Sequence, residues 1–221
     1  MYVRWLCLVL SLLVVSCAPK ESRTLVFGRG GDSVGLDPAL ETDGESFKIC
    51  DNIYETLVNF KPENTEVLPG LAESWTVSED LMMWTFRLRR NVAFHDGTPF
   101  TANAVVFSLG RQFMADHPFH KVEGAYQYWN SMSMSDIVKD VRKVDDDRVE
   151  IELKRPNAPF LSNLAMNFCA IVSPAAVRKW GNDYSRHPVG TGPFQFVEWR
   201  KDDRVVLERN PGYWGPPPKL D

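Results

Sequence analysis

Two runs of alternating apolar and polar residues, separated by a short turn, most constrain what this chain can fold into. The first run is "AESWTVSED" at positions 72–80, and the second is "MWTFRLRRN" at positions 83–91. In the second run Trp84, Phe86 and Leu88 fall on one face, which is the pattern of an antiparallel strand with one buried side. The sequence therefore predicts a β-hairpin that covers part of a hydrophobic core.

The period of the pattern then changes from that of a strand to that of a helix. Ala102–Phe113 carries apolar residues at helical spacing, and Thr101 precedes it as a suitable N-cap. The same reasoning predicts, in chain order, a strand at Thr24–Gly28, a helix at Ser46–Phe60, a hairpin at Ile137–Arg155, a helix from Ala158 to Phe168, a strand at Ala170–Val172, a helix at Pro174–Trp180 and a hairpin at Phe194–Arg209. This mixture indicates an α/β fold with flanking helices.

The first 23 residues have the pattern of an export signal rather than of a folded domain. The apolar run Trp5–Val15 is too short to span a bilayer, and the residues that end it, Val14-Val15-Ser16-Cys17, resemble a bacterial lipobox. This resemblance implies cleavage before Cys17 and lipid attachment to its thiol; the alternative is an ordinary signal peptide with a chance cysteine. We expect residues 1–16 to be a signal peptide and residues 17–23 a lipidated tether.

Charge and cysteine content narrow the class of protein further. The 221 residues carry a formal net charge of −4 and contain no basic block, so nucleic acid is not an expected partner. Besides Cys17, the mature chain keeps Cys50 and Cys169, each within an apolar stretch. In an exported protein these two cysteines could pair as a disulfide or remain buried free thiols.

The stretch Gly31–Gly35, "GDSVG", raises the question of whether Ser33 is a hydrolase nucleophile, as in GDS-type esterases. A nucleophile elbow needs a helix directly after the serine, whereas Leu36-Asp37-Pro38 follows here and disfavours one. GDS-type hydrolases also place an aspartate two residues before the catalytic histidine, and the nearest arrangement, Asp183 with His187, has the wrong spacing. We therefore expect that the protein is not an enzyme.

Metal-binding patterns are equally weak. His117 and His120 are three residues apart with a proline between them, instead of the four-residue spacing that zinc ligands on a helix need. The acidic run Asp145–Asp147 is too short for a calcium loop and fits the tip of a hairpin. The sequence predicts neither a metal site nor a cofactor.

Two longer blocks resemble a known family. "LPGLAESWTVSED…WTFRLRRNVAFHDGTPFTANAVVFSL" (Leu68–Leu109) and "PVGTGPFQFVEWRKDDRVVLERNPGYWG" (Pro188–Gly215) resemble the family 5 extracellular solute-binding proteins, the peptide-, dipeptide- and nickel-binding receptors of ABC importers. Residues 123–168 look most similar to the dipeptide-binding branch. The resemblance covers Thr24–Asp221, and it implies a periplasmic-binding-protein-like fold of type II, cluster C, built from mixed sheets.

The resemblance also implies a division of the chain into lobes. Residues 24–53 would form the first segment of the ligand-facing lobe, residues 54–173 a smaller flanking domain, and residues 174–221 a return to the first lobe. Members of this family are much longer, so we expect this sequence to be their N-terminal portion, with the C-terminal lobe missing. We accordingly expect residues 17–221 alone to associate, through uncovered apolar faces, and to bind ligand weakly or not at all.

Candidate ligand contacts follow from the same resemblance. Thr42, Asp43, Gly44 and Glu45 match the stretch that lines the family's cleft, and either Tyr126 or Tyr128, from the aromatic-rich segment Met114–Ser135, matches an aromatic that reaches it.

The implied function is that of a lipid-anchored substrate-binding protein on the periplasmic or extracellular face of a bacterial membrane. It would capture dipeptides or oligopeptides and deliver them to permease subunits with their ATPase. A nickel complex or haem remains open as the ligand. The alternatives are a lipid-anchored esterase that uses Ser33 and an adhesion lipoprotein on the same fold.

The lipobox interpretation has a direct test. When the protein is expressed in a bacterium, we expect it to incorporate labelled palmitate and to partition into detergent. Cys17→Ser should abolish the label and release the protein to the soluble fraction, because the thiol is the acylation site. Equal labelling of Cys17→Ser and the unchanged protein would contradict the interpretation.

Overall fold

The computed structural model describes residues 23–120 and 125–221 of the chain. The expected signal peptide, Cys17 and residues 18–22 of the tether lie outside this part. The described helices are α1 (Gly44–Ile53), α2 (Ala102–Phe113), α3 (Gln127–Ser131), α4 (Met134–Ile137), α5 (Phe160–Asn163) and α6 (Pro174–Trp180). The strands are β1 (Val58–Phe60), β2 (Val67–Pro69), β3 (Ala72–Val77), β4 (Met83–Leu88), β5 (Val138–Asp145), β6 (Arg148–Leu153), β7 (Phe194–Arg200) and β8 (Arg204–Arg209). Short 3-10 helices cover Asn167–Cys169 and Gly181–Arg186.

The largest sheet has four antiparallel strands in the order β3-β4-β6-β5. Trp75 of β3 lies opposite Phe86 of β4, and Phe86 lies opposite Val149 of β6. Phe86 and Leu88 are buried while Arg87 is exposed, so β4 has one buried side as its alternation predicts. Two further antiparallel pairs, β1–β2 and β7–β8, complete the described strands. The three predicted hairpins are thus confirmed.

Helix α2 lies against β5 and β6 and has the predicted bounds. Its residues Val105 and Leu109 are buried in the same cluster as Phe86. Thr101 has the extended backbone of an N-cap, but its side chain makes no capping hydrogen bond. The helix is therefore fixed by the burial of its apolar face and not by its cap.

The apolar side chains form two clusters. The larger one contains the inner face of the four-stranded sheet, α2 and the segment from Tyr126 to Ile171. The smaller one gathers residues from both ends of the chain around α1 and α6: Leu36, Cys50, Ile53, Tyr54, Phe107, Ala170, Val172, Ala176, Val177 and Tyr184. Phe107 of α2 belongs to this second cluster, so α2 packs against both.

The helix predicted at Ser46–Phe60 is shorter than expected. It begins at Gly44 and ends at Ile53, because Tyr54 adopts an extended backbone. A tight contact explains this end: the Gly192 N–H donates to the Ile53 carbonyl at 2.9 Å, and a Cβ on Gly190 would lie 2.1 Å from the same oxygen. The chain then continues as β1, which was part of the predicted helix.

No strand forms at Thr24–Gly28, where the sequence predicts one. The side chains of Leu25, Val26 and Phe27 are 66%, 91% and 67% exposed. A strand requires a neighbouring strand that takes up its backbone hydrogen bonds, and none of the described strands pairs with Leu25–Phe27.

The elements between Ala158 and Val172 are also more broken than predicted. The helix expected from Ala158 to Phe168 is a single turn, α5, followed by a 3-10 turn, because Met166 between them has an extended backbone. Of the strand expected at Ala170–Val172, only Ile171 pairs, in an isolated bridge with Glu55.

Both described cysteines are free thiols, so the disulfide alternative is not what the structure has. Cys50 lies in the smaller cluster and Cys169 in the larger one. Burial raises the pKa of each thiol well above its ordinary value, which disfavours the thiolate that disulfide formation requires. Within residues 23–120 and 125–221, no helix has the length and hydropathy needed to cross a membrane.

A buried ion pair connects the two clusters. The Arg111 guanidinium of α2 donates to both oxygens of Asp37, with distances of 2.6 and 2.7 Å, and the two side chains are only 4% and 3% exposed. Burial opposes the charge on Arg111, but the carboxylate of Asp37 raises its pKa above the ordinary value. Asp37 thus holds the segment before α1 against α2.

This pair makes the fold sensitive to one carboxylate. We expect Asp37→Ala to lower the free energy of unfolding by about 3–5 kcal/mol, because it leaves a buried guanidinium without a counter-charge. The matched control is Asp183→Ala, whose carboxylate is 64% exposed beside His187 and whose loss should cost less than about 1 kcal/mol. Urea denaturation followed by tryptophan fluorescence measures both. Equal losses for the two variants would contradict the role assigned to Asp37.

Candidate ligand-binding site

The candidate residues from Thr42 to Glu45 lie where α1 begins. Asp43 is the N-cap, and its Oδ1 accepts a hydrogen bond of 2.7 Å from the Ser46 N–H. Thr42 and Gly44 are exposed, while Asp43 and Glu45 are half-buried. Helix α1 begins here because an aspartate in this position satisfies an N–H that no helical carbonyl can reach. The segment therefore offers polar groups to solvent from a fixed position.

Two carboxylate oxygens of this segment have no protein partner. Oδ2 of Asp43 and Oε2 of Glu45 are buried, and neither accepts a hydrogen bond within the described residues. The other oxygen of Glu45 accepts from the Lys48 ammonium at 2.7 Å. A buried acceptor without a donor is unfavourable, so N–H groups of a bound molecule would stabilise these two oxygens once a side-chain rotation turns them outward.

The glycine-rich loop before α1 is hydrogen-bonded to the first turn of this helix. Arg29 donates to the Ser33 hydroxyl at 2.9 Å and to the Glu45 carbonyl at 3.1 Å. Ser46 is fully buried, and its hydroxyl accepts from the Val34 N–H at 3.0 Å. The loop and the first turn of α1 are therefore one hydrogen-bonded unit.

Asp32 attaches the same loop to the β7–β8 hairpin. Its carboxylate accepts from the Trp199 indole N–H at 3.0 Å and from the Asp202 backbone N–H at 2.8 Å. Although burial opposes ionisation, these hydrogen bonds hold the pKa of the Asp32 carboxyl below its ordinary value. "GDSVG" thus connects structural elements: Asp32 anchors the hairpin, and the hydroxyl of Ser33 is bonded to Arg29 and lies 3.4 Å from the Glu45 carbonyl.

The structure brings one of the two candidate tyrosines close to α1. Tyr128 is half-buried, contacts Phe47 of α1 edge-on with ring centroids 5.6 Å apart, and stacks on Phe168 at 6.1 Å. Tyr126 is 2% exposed, and its hydroxyl donates to the Phe119 carbonyl. Of the two, Tyr128 has the position from which a side chain can share a ligand with Thr42–Glu45.

Sequence reasoning missed the residues that hold the site: Arg29, Asp32, Asp37, Glu41, Ser46 and Arg111. One signal was available, since Arg111 is a lone charge among the apolar residues of α2, where a buried ion pair is the usual explanation. The partner of such an arginine is 74 residues away in sequence, and no local pattern identifies it.

The second long sequence block surrounds the half-buried carboxylate of Glu55. Glu55 accepts hydrogen bonds from the Thr191 hydroxyl at 2.8 Å, the Tyr213 hydroxyl at 2.9 Å and the Trp214 indole at 2.7 Å. Burial raises the pKa of Glu55, and these hydrogen bonds oppose that rise. The Arg89 guanidinium lies 4.3 Å from the Trp214 ring. These contacts therefore fix the position of the segment that follows α1.

The side chains considered for hydrolase and metal chemistry have other arrangements in the described part of the chain. No group of three or more His, Cys, Asp or Glu side chains there has the arrangement of a metal site. His187, the histidine nearest to a hydrolase pattern, pairs with Asp183, while the Ser33 hydroxyl is bonded to Arg29. What the segment from Thr42 to Glu45 can do is accept and donate hydrogen bonds at a fixed site.

Comparison with known proteins gives the family. The model of "Bacterial extracellular solute-binding proteins, family 5 Middle" matches residues 66–221. The dipeptide-binding protein of Escherichia coli is 41% identical over 226 residues, which cover 96% of this chain and 42% of that protein. Heme-binding protein A of Haemophilus influenzae is 37% identical over 208 residues, which cover 88% of this chain and 38% of that protein.

Solved structures agree with this assignment and give the fold. The periplasmic binding protein DppA of Helicobacter pylori, in complex with the peptide STSA, superimposes with a TM-score of 0.83 at 42% identity and covers 89% of this chain and 41% of its own. The dipeptide binding protein of a Pseudoalteromonas species, in complex with Met-Leu, gives 0.80 at 30% identity and covers 86% and 40%.

This chain spans about two fifths of the length of these relatives. Its mixed α/β fold is that of the periplasmic binding proteins, and its most similar relatives include dipeptide-binding proteins. With the family model matching most of its length, the chain belongs to family 5 of the bacterial extracellular solute-binding proteins.

Proposed function

We propose that the protein is the substrate-binding component of an ABC importer and captures dipeptides or short oligopeptides. The observation that carries this proposal is the pair of buried carboxylate oxygens, on Asp43 and Glu45, that lack a donor among the described residues. Peptide backbones carry N–H groups that match such acceptors. Two similar structures hold peptides, STSA and Met-Leu, which supports a peptide as the ligand.

The ligand would lie against Thr42–Glu45 with Tyr128 beside it. In this arrangement the carboxylate oxygens accept from the ligand's N–H or ammonium groups, and the exposed Thr42 hydroxyl can donate to a ligand carbonyl. Backbone recognition of this kind tolerates different side chains, because the bonds are made to groups that all peptides share. Haem and glutathione, which similar proteins are named for binding, are the competing ligands.

The division into lobes is part of the proposal. Residues 24–53 and 174–221 would belong to the ligand-facing lobe and residues 54–173 to the flanking domain. The two apolar clusters support this division, since the smaller one joins Leu36 and α1 with α6 and Tyr184. The larger cluster is drawn mainly from residues between Leu57 and Ile171.

Export, anchoring and delivery complete the proposed role. The lipobox-like residues that end at Cys17 support an anchor at the membrane surface, facing the periplasm or the exterior. Binding proteins of two-lobed folds close around their ligand by hinge motion. The closed form would then dock on the permease subunits, and the ATPase would drive import.

Peptide binding is testable in a chimera in which this chain replaces the corresponding N-terminal part of the Escherichia coli dipeptide-binding protein. We expect a dipeptide to bind with a Kd of about 1 μM or below, roughly −8 kcal/mol, by titration calorimetry. Asp43→Asn with Glu45→Gln should weaken binding about tenfold, roughly 1.4 kcal/mol, because the amide groups retain size but lose the charge that favours N–H donors.

The matched control is Glu63→Gln, an exposed residue that lies outside the candidate site. The 221-residue chain is titrated alongside, and we expect it to bind more weakly than the chimera. A folded chimera that binds haem or glutathione but no peptide would overturn the choice of ligand. A double variant that binds as tightly as the Glu63→Gln control would remove Asp43 and Glu45 from the site.

The esterase alternative requires the Ser33 hydroxyl to act as a nucleophile. We expect Ser33→Ala to leave background hydrolysis of a chromogenic ester unchanged, because Ser33 is 7% exposed and its hydroxyl is bonded to Arg29. A loss of tenfold or more, about 1.4 kcal/mol of barrier, would show that Ser33 acts as a nucleophile.

A further inference from the structure

Glu41 is a buried acid directly before the candidate ligand segment. It is 8% exposed, and its backbone N–H donates to the Asp37 carbonyl at 3.2 Å. Its carboxyl folds back onto the backbone of Gly35, where an added Cβ would lie 2.2 Å from Oε1. The Glu41 side chain therefore connects the two ends of the turn formed by residues 35–41. The candidate segment Thr42–Glu45 follows directly after this turn.

The charges around this turn do not balance. Asp37, Glu41 and Asp43 place three carboxyl groups within seven residues, and one buried guanidinium, that of Arg111, faces them. Both terminal nitrogens of that guanidinium are bonded to Asp37. Glu41 makes no ion pair among the residues that the structure describes, so its ionised form would add an uncompensated negative charge to a buried turn.

The charged groups of its own segment, Asp37 and Asp43, disfavour the ionised form of the Glu41 carboxyl. The other titratable groups around this turn are Cys50 of α1, Tyr54, Tyr184 and Arg111, and the Arg111 guanidinium is bonded to Asp37. Burial first, and then the charges of Asp37 and Asp43, raise the pKa of Glu41 to about 7, while N–H groups of Asp37 and Gly35 partly oppose this.

We propose that Glu41 is a proton-dependent positioning residue for the segment Thr42–Glu45. In its protonated form the carboxyl rests on the Gly35 backbone and keeps the turn closed. In its ionised form it repels Asp37 and Asp43 and loosens the turn, which moves the candidate ligand contacts. This inference rests on the proposed function in one respect only: the segment that Glu41 positions is the one assigned to the ligand.

The direction of the pH dependence follows from linkage. The folded protein keeps the Glu41 proton up to about pH 7, whereas the unfolded chain loses it near the ordinary value of 4.5. The stabilising contribution of this proton is therefore present at low pH and is lost as the pH rises from about 4.5 to 7. Peptide affinity should fall over the upper part of the same range.

Two measurements on the chimera, made without any ligand, test the positioning role. Carbon-13 NMR of the Glu41 carboxyl should show a titration near pH 7. Hydrogen exchange of the amides at residues 42–46, corrected for intrinsic pH effects, should show protection that falls across pH 7. Glu41→Gln should keep this protection at all pH values, because an amide resembles the protonated acid, while Glu41→Ala should lose it throughout.

Dipeptide titrations of the chimera between pH 5.5 and 7.5 then connect the turn to the ligand. We expect the affinity of the unchanged chimera to fall about threefold over this range, to stay constant in Glu41→Gln, and to fall about threefold again in the control Glu79→Gln, an exposed residue of the β3–β4 turn. With a free pKa of about 7, a one-unit difference in the Glu41 pKa between free and bound protein gives about this change by pH 7.5. The range stays below the pKa of a peptide ammonium group.

The outcomes separate the two proposals. Titration of Glu41 near pH 4.5, or parallel pH profiles for Glu41→Gln and the unchanged chimera, would overturn the positioning role. If no peptide binds at any pH while residues 42–46 still lose protection across pH 7, the proposed function fails and the positioning role stands.

Discussion

The ion pair between Asp37 and Arg111 is the interaction on which the rest of this structure depends. It joins the segment before α1 to the last turn of α2, which also packs against the four-stranded sheet. Two charges enclosed in this way are tolerated only because each satisfies the other through two hydrogen bonds. The turn that follows Asp37 leads to the candidate ligand segment, so the location of that segment is set by a contact outside it.

The family's second sequence block has a comparable role at the other side of α1. Glu55 is held by three donors from residues 191–214, and the Ile53 carbonyl accepts from Gly192. These contacts explain why α1 ends where it does and why a glycine is required at position 190, since a side chain there would collide with the Ile53 carbonyl. Helix α1 is thus fixed at its N-terminus by Asp43 and at its C-terminus by residues far along the chain.

Sequence patterns predicted those elements whose side chains face one local surface. The hairpins at β3–β4, β5–β6 and β7–β8 and the bounds of α2 followed from their periodicity. The patterns failed where a distant contact decides the structure. Helix α1 ends early because of Gly190 and Gly192, and the apolar run Leu25–Phe27 has no partner strand among the described residues. At the candidate site, resemblance supplied Thr42–Glu45, but the supports behind it, such as Arg29 and Asp32, depend on tertiary contacts that a single sequence does not display.

The central claim is that Thr42–Glu45, with Tyr128 beside it, binds a peptide, and that the buried Asp37–Arg111 ion pair fixes the position of this segment. A crystal structure of the chimera with a bound dipeptide tests this most directly. The account predicts ligand N–H groups within hydrogen-bonding distance of Asp43 Oδ2 or Glu45 Oε2, with Asp37 and Arg111 still paired behind them. A dipeptide bound in the chimera without any contact to residues 42–45 would contradict it.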